Sequence, residues 1–98
     1  MRQPLRPSAG ARYAVERAEE HPDRLIYRGA VHLPEAEVPL EVTIALPGGA
    51  TSAVLLTEPP PGAPPEMAKA AAALVRAATK AELASGIPLP RKIVRWRG

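Results

Sequence analysis

One stretch constrains the fold more than any other. It opens Pro64-Pro65-Glu66-Met67-Ala68-Lys69 and continues through an alanine-rich run to Ser85-Gly86. Alanine loses no side-chain entropy on becoming helical, so the interior has close to the highest helix propensity available. Proline in the first turn removes an N–H that has no intrahelical partner there. Glu66 sets negative charge against the positive end of the helix dipole, and Gly86 supplies a left-handed stop. A helix is therefore predicted over residues 65–85. At ~100° per residue, Met67, Ala70, Ala71, Leu74, Ala78 and Ala81 share one face, with Val75 at its margin. Lys69, Arg76 and Lys80 fall on the opposite face. Such a helix is stable only with its apolar side against something flat. The residues before it supply a sheet.

Val38 to Leu46 has the cleanest period of two. Leu40, Val42, Ile44 and Leu46 point inward, Glu41 and Thr43 outward, and Pro39 sits near the start, where a missing N–H does least harm. Leu25 to Leu33 reads as a second strand with Leu25, Tyr27, Val31 and Leu33 on one side. Gly29 within it marks a bulge or a close approach of another backbone. Pro47-Gly48-Gly49-Ala50 turns into a further strand, Thr51 to Glu58. Pro59 to Pro65 reads as a stiff, ordered, extended connector from the sheet edge to the sheet face.

The two ends of the chain admit two readings each. Residues 11–19 form a helix if Ser8 caps it and Ala11, Ala14, Val15 and Ala18 make its stripe, or a strand if Tyr13, Val15 and Arg17 alternate. The Ala, Arg and Glu content favours the helix. Residues 91–98 form a basic strand or a tail, and residues 1–7, with two prolines, a loose arm.

The expected fold is α+β. An antiparallel sheet of three or four strands spans residues 25–58, extended by 11–19 or 91–97, with one long Ala-rich helix packed on one face. Ninety-eight residues make one small domain, 1–98. There is no Phe, and only Tyr13, Tyr27 and Trp96 are aromatic, so the core rests on Leu, Ile, Val and Ala. Leu40, Val42, Ile44, Leu46, Met67, Ala71, Leu74 and Ala78 are predicted to be buried.

Charge is unevenly distributed beneath a net +3. Seven of the thirteen basic residues lie in 1–12 and 91–98, which hold no acid, so residues 13–90 carry six cations against all ten carboxylates, a net −4. The absence of cysteine excludes thiol chemistry, disulfides and cysteine metal sites. No apolar run is long enough for a membrane span and no hydrophobic stretch follows Arg2 and Arg6, so the expectation is a cytoplasmic protein. The Ala-rich, Arg-over-Lys, Asn-free composition fits a high-GC bacterial genome.

Catalysis lacks parts. Only His21 and His32 are present, with no acidic helix motif beside them for a metal. Ser8, Ser52 and Ser85 sit on no nucleophile elbow, and Pro47-Gly48-Gly49 is too short for a phosphate loop. The expectation is no enzyme and no cofactor. His21-Pro22-Asp23 resembles the J-domain tripeptide, yet strand pattern from Leu25 stands where that family has its third helix. Tyr27-Arg28-Gly29-Ala30-Val31 is similar to the RNP1 pattern of RRM domains, but Ala30 and Val31 stand where stacking rings belong. Helix, three strands and helix resembles the order of double-stranded-RNA-binding domains. Here Glu66 replaces the lysines that open that family's last helix.

Two basic features remain as candidate sites: Lys69, Arg76 and Lys80 on the outer helix face, and the segment Arg91, Lys92, Arg95, Trp96 and Arg97. They point to a non-catalytic module that binds a partner protein through a sheet edge or the arginine-rich end. The alternative is nucleic-acid binding, with the cations on phosphates and Trp96 stacked on a base. A structural role competes with both. Val94 and Trp96 share one side of a strand and read as completing the core, while the arginines discourage edge pairing.

Overall fold

Strand β1 (Ala11–His21) opens the fold, followed by β2 (Arg24–His32), β3 (Glu37–Ala45), β4 (Thr51–Leu55), helix α1 (Met67–Ser85) and β5 (Lys92–Arg97). The computed structural model describes residues 10–64 and 66–97. The expected arm at residues 1–7 lies outside the described residues. All pairings are antiparallel and the strand order is β4-β3-β2-β1-β5. The first four strands form a meander. The chain then crosses by α1 and lays β5 along the free side of β1.

The sheet thus has five strands rather than three or four, because both end segments join it. Residues 11–19 are strand, not helix. Helix propensity is outweighed by position: β1 is paired on both sides, and Ala11, Tyr13 and Val15 are buried on its helix-facing side. Gly29, the predicted close approach, stands opposite Val15. A methyl group there would collide with the Ala14 carbonyl and come within 2.8 Å of Val15 Cα.

Leu25, Tyr27, Val31, Val38, Leu40, Val42 and Ile44 form the buried centre of the sheet face covered by the helix. From α1 they meet Met67, Ala71 and Val75, with Ala70, Leu74, Ala78 and Leu83 partly buried around them. Relative to the predicted stripe, the buried face is turned by roughly 70° at ~100° per residue. Val75 and Thr79 are buried, Leu74 and Ala78 are half-buried, and Ala81 is exposed. Thr79 tolerates burial because its hydroxyl donates to the Val75 carbonyl at 2.9 Å. Leu46 is half-buried.

The helix begins at Met67, with Glu66 in a left-handed conformation at φ 57° and no side-chain cap bond. Its end follows expectation. Gly86 has φ 68°, its N–H reaches the Leu83 carbonyl, and the Ile87 N–H bonds the Glu82 carbonyl. The connector is not uniformly extended: Ala63 N–H donates to Pro60 O at 3.1 Å, and Gly62 takes φ 81° to close that turn.

Beyond α1, Ile87 to Pro90 returns the chain to the β1 side of the sheet. Leu89 is buried there. The Tyr27 hydroxyl donates to the Pro90 carbonyl at 2.5 Å, and Arg17 Nη1 donates to the Leu89 carbonyl at 3.3 Å. These two bonds tie the crossing segment to the middle of the sheet and aim the chain into β5.

Candidate functional site

The two sets of candidate cations fall on different parts of the molecule. Helix α1 lies chiefly over β4 and β3, whereas β5 forms the opposite edge. Lys69, Arg76 and Lys80 are all exposed. Arg76 and Lys80 line an open groove of about 740 Å³ between α1 and the turn at Pro47–Gly49, walled by Ala73, Ala77 and Leu83. Lys69 is not part of it. No residue of β5 lines this groove.

Arg91, Lys92, Arg95, Trp96 and Arg97 are brought together by β5. Its side chains divide by the period of two. Ile93 opposes Val15 and is 4% exposed, so it is the residue that completes the core. Arg95 and Arg97 follow it on the helix side, opposite Tyr13 and Ala11. Lys92, Val94 and Trp96 face the other way, onto the sheet face opposite α1, which no helix covers among the described residues. Trp96 is therefore not core: it is 56% exposed. The expectation failed because Ile93, not Val94, is in register with the buried residues of β1.

Arg12 joins this site from β1. It is the cross-strand neighbour of Trp96, and its guanidinium lies 5.7 Å from the centre of the indole ring. A helix over 11–19 would have set Arg12 against Glu16 at i, i+4; in the strand it stands opposite Trp96. The signal that would have found it is the β1–β5 register, which no local pattern contains.

The backbone of β5 is as informative as its side chains. Arg17 N–H donates to Arg91 O at 2.7 Å, and the register continues through Val15–Ile93, Tyr13–Arg95 and Ala11–Arg97. In an antiparallel ladder alternate residues point their N–H and C=O groups to the same side. Lys92, Val94 and Trp96 consequently turn their backbone groups away from β1, where no described strand follows. One of these groups is engaged from within β5, since the Val94 carbonyl accepts from Arg95 Nη1 at 2.8 Å.

The helix-free face beside this edge is ordered in rows. Val94, Ala14, Ala30 and Pro39 form an apolar row across four strands, and Leu56, whose N–H donates to Pro39 O, continues it. Next to it runs a row of alternating charge, Lys92, Glu16, Arg28 and Glu41. Arg28 Nε bonds Glu41 at 2.9 Å, and its Nη2 bonds Glu19, which also bonds His21. The Glu19 carboxyl is held below its usual range by the bond to His21 and then by Arg28. Arg28 is raised by Glu41 and Glu19 in the same way. In the middle of this face one guanidinium thus holds two carboxylates. On β5, Arg91 is 3.8 Å from Glu16, and Lys92, Arg95 and Arg97 make no salt bridge among the described residues.

No group of three or more His, Asp and Glu side chains is placed to hold a metal ion among the described residues. No described helix is long and apolar enough to cross a membrane. No protein-family model, no curated protein and no solved structure matches the chain.

Proposed function

We propose that this chain is a small, non-catalytic, cytoplasmic protein-interaction module that takes an extended segment of a partner protein onto the outer edge of β5, unpaired among the described residues. The observation that carries the proposal is the row of outward backbone groups at Lys92, Val94 and Trp96 on an edge strand. An added strand would pair both donors and acceptors of that row, which is how strand-addition modules gain affinity. Phosphate groups of a nucleic acid offer acceptors only and would leave the outward carbonyls unmatched. Carboxylates on the adjoining face at Glu16, Glu19, Glu37 and Glu41 also oppose a polyanion lying flat on the sheet.

The test is cross-linking in the cell, with a photoreactive side chain placed at position 92 or 96 and, as control, at Ser52 on the opposite edge strand. Protein adducts from β5 and none from Ser52 are expected. Nucleic-acid adducts from β5, or protein adducts equal at all positions, would overturn the proposal and favour the alternative reading.

A further inference from the structure

We infer that the partner segment at β5 is an acidic strand of alternating pattern, with carboxylates on the side of Arg95 and Arg97 and apolar residues on the side of Val94 and Trp96. This rests on the preceding reading of β5 as the docking edge and specifies the chemistry of what docks there.

A strand laid along β5 places its residues about 4.5–5.5 Å from their neighbours, alternately on the two faces of the sheet. On the helix side it meets Arg95 and Arg97, neither of which has a carboxylate partner among the described residues. On the other side it meets Val94 and the exposed indole of Trp96, which extend the apolar row of Ala14, Ala30 and Pro39 to the edge. Each face selects a different residue type, so the complementary sequence alternates. Near Lys92 the apolar side gives way to a cation, and one further acid fits there.

Arg95 links the two halves of the recognition. In the free protein its guanidinium occupies the outward Val94 carbonyl. An incoming strand supplies a backbone N–H to that carbonyl and releases the guanidinium to a partner carboxylate. One outward carbonyl of the row is therefore occupied until an acidic strand arrives. A second copy of this chain is a poor occupant at this edge, because it would bring four cations against four.

The experiment titrates the full chain with a soluble peptide of alternating Glu and Val. Three comparison ligands are a Lys/Val alternating peptide, a peptide of the same Glu/Val composition in two blocks, and oligothymidylate. Affinity is read by calorimetry and position by amide hydrogen exchange. The alternating acidic peptide is expected to bind, to protect the Lys92, Val94 and Trp96 amides, and to weaken with salt. The block peptide should bind at least about tenfold more weakly, since only one face can then be matched.

Arg95→Glu/Arg97→Glu should lose at least about tenfold toward the acidic peptide and gain toward the Lys/Val one. Val94→Pro should abolish binding without breaking a bond to β1, because the Val94 N–H faces away from it. Equal affinity for the acidic and basic peptides, protection at Thr51, Ala53 and Leu55 instead, or tighter binding of oligothymidylate would each overturn the inference. If no peptide binds while cross-linking at positions 92 and 96 still captures a protein, the alternating acidic chemistry is wrong and the docking edge stands. Cross-linking that captures no protein there removes both.

Discussion

Replacing Tyr27 by Phe isolates the bond that holds the crossing segment to the sheet. The ring is fully buried in β2 and its hydroxyl donates to Pro90 O at 2.5 Å. Phenylalanine keeps the ring volume, so no cavity opens, and what is lost is one hydrogen bond between neutral groups. Such a bond contributes about 0.5–1.5 kcal/mol net. Pro90 is half-buried, which sets the cost at the low end of the about 1–3 kcal/mol that an unpaired acceptor carries. The expected loss is about 1 kcal/mol, or ~4–8 °C in Tm for a domain of this size.

The pH profile gives a second reading of the same group. Burial raises the Tyr27 phenol above its usual 10.0. Stability from this group is intact below that value and falls as pH rises past it, because the unfolded chain releases the proton first. Tyr27→Phe should therefore be less stable than the natural chain at neutral pH yet decline less steeply above pH ~10. Some alkaline slope will persist from Tyr13, which burial also raises against the opposing charge of Arg97. Thermal and urea unfolding followed by circular dichroism at pH 7 and above supplies both measurements. A variant that melts with the natural chain would refute the reasoning, because the hydroxyl would then contribute nothing to holding residues 87–90.

Gly29→Ala should lose about 1–3 kcal/mol in urea unfolding, since the backbone at Ala14 and Val15 must move to admit a methyl group. Equal stability would mean that β1 and β2 do not approach as described. Ile93→Ala should cost about 2–5 kcal/mol, while Trp96→Ala should stay within about 0.5 kcal/mol because its ring is largely in solvent. The reverse order would return the tryptophan to the core. Glu19→Gln should flatten the acid limb of the stability curve. The Glu19 carboxyl is held below 4.5, so its stabilisation is present above that value and lost as pH falls through the folded-state pKa. Parallel acid limbs would count against the bonds to His21 and Arg28.

The parts of the fold that were legible in the sequence are those specified locally. The alternation of Leu40, Val42 and Ile44 needed no context, and neither did the alanine run or its stop at Gly86. The misreadings arise where distant residues decide. Ala, Arg and Glu make residues 11–19 a reasonable helix in isolation, and only pairing with both β2 and β5 makes them a strand. The helix stripe predicted at Leu74 and Ala78 is turned toward Val75 and Thr79 by packing on the sheet. Trp96 reads as core because it shares one side of the strand with Val94, but one step of register hands that role to Ile93. The candidate site shows the same division. The basic residues of β5 were visible as composition, whereas Arg12 and the outward backbone of Lys92, Val94 and Trp96 follow from a pairing between the two ends of the chain.

That pairing also sets an order of assembly. The four-stranded meander closes through short turns and can form early, but the β5 side of β1 must wait for a partner nearly the whole described length away, Ala11 meeting Arg97. Until then the outermost strand presents the unpaired backbone of Ala11, Tyr13, Val15 and Arg17, with the apolar side chains of the first three on its helix side. A nascent or truncated chain that stops short of Lys92 would keep that sticky border and tend to aggregate. When β5 docks, Ile93 pairs with Val15 and the new margin is lined with arginine and lysine. The last strand to arrive is thus also what keeps the finished molecules apart.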